Sequence, residues 1–330
     1  MASSTSPFNR VPRLALALLL TGLAAWGAGA VYTLQFNPEL AFFKHALVLK
    51  QRWQAEMRKQ YGTNIVLCGG SSCFTGIDAK HMRDRYSLPV VNLGFGAGMG
   101  AEILGRMAFQ NVKPGDTLIL AFEPGLLAGE FVTPSLGAQF AISTAGSKFL
   151  REIEPTELAS KLLALRPGGY HVFTLFGKLI LRRPLYRYSH AEVKEGGWHA
   201  VDDRREVSPL LPGEFRLSDD AKRFLAETAA WCATNNVRLA CALPWMYYSP
   251  ENVSEARSRA MEFLAELNQY MPVLKDPYAG CYPFGEEFAD STLHLIPDSA
   301  TKHSEEVARE LLAWDVYEKG TLKKSTPSAR

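Results

Sequence analysis

Two adjacent hydroxyls, Ser71 and Ser72, close an apolar run in the stretch IVLCGGSSCFTGID (65–78). Gly-Gly-Ser-Ser on its own is ordinary turn chemistry. Three further stretches change its meaning. NLGFGAGMG (92–100) offers backbone amides with few side chains in the way. FEPG (122–125) sets Glu123 behind another apolar run, and FADSTLHLIPDSA (288–300) pairs Asp290 with His294. A serine, a glycine-rich turn and an Asp/His pair are the components of acyl transfer. The hydroxyl attacks, the imidazole takes its proton, the carboxylate orients the imidazole, and backbone amides hold the oxyanion. For Glu123 three roles stay open: organising the site, binding substrate, or capping a helix end.

These residues need a scaffold that brings them to one place. The pattern after residue 60 is short apolar runs, each followed or preceded by a helical period. Strands are expected at 64–68, 89–93, 117–122, 237–243 and 271–275. Helices are expected near 77–86, 100–110, 219–235, 254–269 and 299–316. Non-alternating apolar strands interleaved with helices predict a parallel sheet covered on both faces, a three-layer α/β/α sandwich. Ligands of such sheets bind beyond the carboxyl ends of the strands, which is where Ser71, Gly96–Gly98 and Glu123 fall.

The interval 125–217 breaks the rhythm and reads as a helical insertion, because about 90 residues exceed a plain crossover. Helices are expected around 145–165 and 171–182, followed by a loop rich in Gly, Pro and charge. The apolar segment HVFTLFGKLIL, ahead of RRPLYRY, reads as a buried helix, with contact to a membrane surface as the other reading. The insertion leaves at the same sheet end as Ser71, so it is expected to line the site.

In their order along the chain these blocks resemble the SGNH (GDSL-type) hydrolase superfamily, particularly its membrane-anchored branch associated with O-acylation of cell-surface polymers. The likeness covers roughly 62–124 and 237–316. It implies a flavodoxin-like sheet. It also implies that Ser71, in Gly69-Gly70-Ser71, is the nucleophile and contributes its own N–H to the oxyanion hole. The block Asn92-Leu93-Gly94 leads into Gly96, Ala97 and Gly98, one of which would be the second oxyanion donor. Asp290 and His294, just before the last helix, would complete the triad. Two departures stand out. Glu123 occupies the region where the family carries a hydrogen-bond-donating Asn, and Asp290 and His294 are four residues apart rather than three.

Residues 14–34 carry no charge, are long enough to span a bilayer, and follow Arg10 and Arg13. They predict a single transmembrane signal anchor behind a cytoplasmic segment, 1–13. The anchor leads to a membrane-proximal helix, 35–61, an SGNH-like domain, 62–318, and a flexible tail, 319–330. The main domain is then periplasmic or extracellular, whether or not cleavage follows the small residues Ala28-Gly29-Ala30.

With a formal net charge of +2 and no long basic block, nucleic acid is not an expected partner. No metal spacing occurs, and the five cysteines give no pairing. No cofactor is expected. The function implied is a serine esterase or O-acyltransferase acting on acyl esters of an envelope or exported polysaccharide. The other reading is a noncatalytic scaffold that binds polysaccharide or a membrane acyltransferase. Gly96-x-Gly98-x-x-Ala101 with Glu123 matches a loose dinucleotide fingerprint, but on the second strand of the sheet and behind an export anchor. A G-x-S-x-G elbow would need glycine where Cys73 stands.

Overall fold

A computed structural model describes residues 10–131, 134–145, 160, 162, 165, 169–213 and 215–314. The chain divides into two compact units, one of residues 1–42 with 138–187, the other of 43–137 with 188–330.

The first unit contains helix α1 (Arg10–Val31) and a π-helical turn, Tyr32–Phe36. At 1.5 Å per residue α1 is about 33 Å long, and it is apolar enough to cross a membrane. Its leucines at 14, 16, 18, 19, 20 and 23 all face outward, as they would not in a core helix. Helix α2 (Pro38–Tyr61) begins in this unit and continues into the second.

In the second unit four strands form a parallel sheet: β1 (Ile65–Gly69), β2 (Val90–Asn92), β3 (Thr117–Ala121) and β4 (Arg238–Cys241), in the order β2-β1-β3-β4. The register pairs Ile65 with both Val90 and Thr117, and Thr117 with Arg238. β1, β2 and β3 are buried along their whole length, which is why their sequences do not alternate. Helices α3 (Ser71–Gly76), α4 (Ala79–Tyr86) and α11 (Pro297–Ala313) contribute Cys73, Met82, Val307 and Leu311 to one core with Ile65, Leu67, Ile77, Ile119 and Ala240. Cys68, pointing the other way along β1, donates its thiol to Leu104 O at 3.2 Å on α5 (Ala101–Asn111).

Further α-helices are α6 (Pro124–Ala128), α7 (Ser135–Ala145), α8 (Gly169–Ile180), α9 (Asp219–Thr234) and α10 (Val253–Leu267). A small parallel pair, β5 (Met246–Tyr247) and β6 (Cys281–Tyr282), lies beyond the end of β4 in the chain.

Three expectations need correction. The run MPVLK at 271–275 is no strand but a single parallel bridge, Cys241 to Val273. Pro272 has no N–H to extend the ladder, and only its carbonyl is used, by Cys241 N. The serine turn is no loose turn either, since a helix starts at Ser71 itself. The segment expected as a buried helix at 171–182 forms a helix, α8, but its apolar face is exposed. The helix expected around 145–165 lies almost wholly outside the described residues.

Candidate active site

β1 ends at Gly69, and the chain turns through Gly70 into α3. Six residues rich in Ser, Thr and Gly are poor helix material, so neighbours must hold them. Glu123, just past β3, accepts the Ser72 N–H on Oε1 at 2.8 Å and so caps the helix from 51 residues away. Its carboxylate lies so close over Gly70 that a Cβ there would sit 2.1 Å from Oε2. Asn92, fully buried at the end of β2, donates Nδ2 to Cys73 O at 2.9 Å and Ile77 O at 2.8 Å. Of the three roles open to Glu123, capping is the one made by a hydrogen bond.

The two serines separate clearly. Ser72 is buried and its hydroxyl has no partner among the described residues, whereas Ser71 is partly exposed. Ser71 is the first residue of α3, so its N–H has no acceptor within the helix. In the glycine-rich turn, the Gly94 N–H is taken by Asn92 Oδ1 at 2.8 Å and the Phe95 N–H by Gly69 O at 3.1 Å. Gly94 must be glycine here, because a Cβ would meet Phe74 N at 2.5 Å. The amides of Gly96, Ala97 and Gly98 have no backbone acceptor among the described residues, and they sit at the partly open start of a 3-10 turn.

Asp290 and His294 meet despite their four-residue spacing. His294 Nδ1 lies 2.7 Å from Asp290 Oδ1, with the carboxylate side chain fully buried. The intervening residues form a tight turn in which Ala289 N donates to His294 O at 2.8 Å and Tyr247 N to Thr292 O at 3.0 Å. Nε2 of His294 has no hydrogen-bond partner among the described residues and is the nitrogen a general base would use. Tyr188 donates its hydroxyl to the second oxygen, Oδ2, at 2.9 Å. The turn is packed beside α3: Leu295 reaches within 3.5 Å of where a Gly76 Cβ would lie. Ser71 Oγ makes no hydrogen bond to His294 among the described residues.

Two residues near the site had no local signal in the sequence. His199, expected to be one of six histidines without a catalytic setting, is buried between the α3 residue Phe74, at 5.1 Å between rings, and Tyr188, at 4.6 Å. Its backbone N–H donates to Phe74 O at 2.9 Å. Burial pushes its imidazole down to about 4, against the opposing pull of Glu192, whose Oε2 lies 3.1 Å from Nε2.

Lys50 of α2 is completely buried. Its Nζ sits 4.1 Å from the Phe74 ring centre and 4.8 Å from that of Phe95, and it donates to Asn92 O at 2.8 Å and Gly197 O at 2.5 Å. Burial holds its ammonium well below the usual lysine range. A lysine on a helix is read as solvated by default, and nothing in its neighbours says otherwise.

A cavity of about 460 Å³ lies against Glu123, Leu210, Phe215, Met246, Tyr248 and Leu293. Its wall includes Glu123, which caps α3, and Leu293, the residue before His294, while Ser71, Asp290 and His294 are not among its lining residues. Residues of the 125–217 interval contribute to its wall.

No family model, no curated protein and no solved structure matches this chain. The α/β class with a parallel four-stranded sheet, and one apolar helix long enough to span a membrane, rest on the structure itself.

Proposed function

We propose that this protein is a membrane-anchored, extracytoplasmic serine esterase or O-acyltransferase with a three-layer, flavodoxin-like SGNH core. The observation that carries the reading is the Asp290–His294 pair, aligned at 2.7 Å and braced by Tyr188. It stands beside a helix whose first residue is a partly exposed serine with no acceptor for its N–H within the helix. The buried Asp290 carboxylate fixes the tautomer and ring orientation that a general base requires.

In the proposed reaction Ser71 Oγ attacks the ester carbonyl as His294 Nε2 takes the hydroxyl proton. The N–H of Ser71 and one amide of Gly96–Gly98 receive the oxyanion. The ester C–O bond breaks, His294 returns the proton to the departing alcohol, and an acyl-serine remains. Water resolves it in hydrolysis, a sugar hydroxyl in transfer. The apolar cavity beside Glu123 accommodates the acyl or alcohol portion, and an acylated envelope carbohydrate is the proposed substrate class. Arg10 and Arg13, at the start of α1 and ahead of its uncharged stretch, support an orientation with the site outside the cytoplasmic membrane.

A noncatalytic scaffold, binding polysaccharide or a membrane acyltransferase, is favoured by one observation: Ser71 and His294 share no hydrogen bond among the described residues. Catalytic contacts in ligand-free sites are often long and tighten with substrate, so turnover decides. Full-length protein in detergent should hydrolyse p-nitrophenyl esters, and His294→Ala should abolish the activity. Wild-type protein that binds acylated carbohydrate without cleaving it or transferring its acyl group would favour the scaffold.

A further inference from the structure

Helix α8 belongs to the same compact unit as α1 and turns its most apolar residues outward. Phe173, Phe176, Leu179, Ile180 and Leu181 are between 60% and 79% exposed. Phe173, Phe176 and Ile180 recur at i, i+3 and i+7, which puts them on one side of the helix. A contiguous apolar surface of this kind marks an interaction site rather than chance exposure. Four cations, Lys178, Arg182, Arg183 and Arg187, lie along or just after it, and no acidic residue occurs from Gly169 to Ala191.

The position within the unit says what covers this face. Tyr186 packs its ring 5.4 Å from Phe42, and Lys178 is near enough to Glu39 for its charge to act on that carboxyl. The end of α8 and the segment after it are therefore held beside the start of α2. That is just past the π-helical turn where the chain leaves α1. Trp26 of α1 also donates to Leu162 O at 3.3 Å, tying the segment ahead of α8 to the membrane-crossing helix. If α1 spans the hydrocarbon, the exit from α1 lies at the headgroup level.

We propose that α8 is a second membrane contact. It lies in the plane of the interface with Phe173, Phe176 and Ile180 inserted among the acyl chains and Arg182 and Arg183 against anionic headgroups. An apolar helix face with flanking cations is the composition that partitions there, through buried area plus attraction to anionic lipid. The proposal rests on α1 being a membrane anchor and is independent of the chemistry at Ser71. One consequence is that the unit has two fixed points on the membrane rather than a single swivel.

The test uses the full chain with Phe176→Cys carrying an environment-sensitive fluorophore, since all five native cysteines are buried. The protein is reconstituted into phosphatidylcholine vesicles with and without phosphatidylglycerol, a portion of the lipid being brominated in its acyl chains. Met261→Cys, exposed on α10 in the other unit, serves as the aqueous reference. The expected result is a blue-shifted emission quenched by bromolipid at position 176 and neither effect at 261. Quenching should weaken when phosphatidylglycerol is omitted or when Arg182→Glu and Arg183→Glu are introduced together. A water-like, unquenched label at 176 in protein that still floats with the vesicles would overturn the proposal while leaving the anchor intact. Disulfide-linked dimers of the unlabelled Phe176→Cys variant would overturn it in favour of self-association. Failure of the chain to float would remove both the anchor and this contact.

Discussion

Glu123 accepts the backbone N–H of Ser72 at 2.8 Å, so an acid at the end of β3 caps the helix that Ser71 begins. A poor helical sequence is thereby fixed at the edge of the sheet by a residue that follows a different strand. Removing the cap with Glu123→Ala should cost about 1–3 kcal/mol, from the lost hydrogen bond and a stranded buried N–H. Glu123→Gln retains an acceptor and should cost less. Thermal unfolding of the detergent-solubilised protein reads the difference. Equal losses for the two variants would mean that the charge, not the hydrogen bond, holds the turn.

Tyr188 reaches the candidate triad through its hydrogen bond to Asp290. Tyr188→Phe deletes one oxygen, keeps the ring against His199, and removes the Tyr188 hydrogen bond from Asp290 Oδ2. With a hydrogen bond to a charged group worth about 1.5–3 kcal/mol, kcat should fall at least roughly tenfold with KM nearly unchanged. A change in KM alone would assign Tyr188 to substrate binding instead.

His199 makes stability depend on pH. Its folded imidazole takes a proton only near pH 4, while an unfolded chain takes one near 6.5. The unfolded state therefore binds more protons between those values. Stability is fully present above about pH 6.5 and should fall by roughly 3 kcal/mol as pH drops toward 4, with no further loss from this group below that. His303, whose burial lowers it in the same direction, adds to the trend. His199→Gln should shrink the difference in unfolding temperature between about pH 7 and about pH 4.5. An unchanged difference would show that other groups control the acid limb.

Lys50 fills a slot between Phe74 and Phe95 and satisfies two carbonyls. Lys50→Ala should cost about 3 kcal/mol or more, through the cavity and the two orphaned acceptors. Lys50→Met, which keeps the packing and avoids burying an ammonium, should recover much of that. Thermal unfolding checks the order, and a Met variant no better than Ala would point to the hydrogen bonds alone.

The parallel sheet was legible because β1, β2 and β3 are buried on both faces and read as uninterrupted apolar runs ended by Gly, Asn and Glu. The Asp290–His294 pair was legible from composition and from its place ahead of the last helix. Helix α3 was not, because Glu123 and Asn92 hold it from 51 and from 15 to 19 residues away. Nor were Lys50 and His199, whose burial depends on segments brought together only by the fold. The apolar run of α8 gave the right helix and the wrong surroundings, since periodicity registers an apolar face without saying whether protein or lipid meets it.

The central claim is that Ser71 is an activated nucleophile. Intact-mass and peptide mass spectrometry after incubation with a fluorophosphonate test it most directly. The wild-type protein and Ser72→Ala should gain one adduct on the peptide containing Ser71. Ser71→Ala should gain none, and His294→Ala should react far more slowly. An adduct on Ser72, or a wild-type protein no more reactive than His294→Ala, would contradict the account.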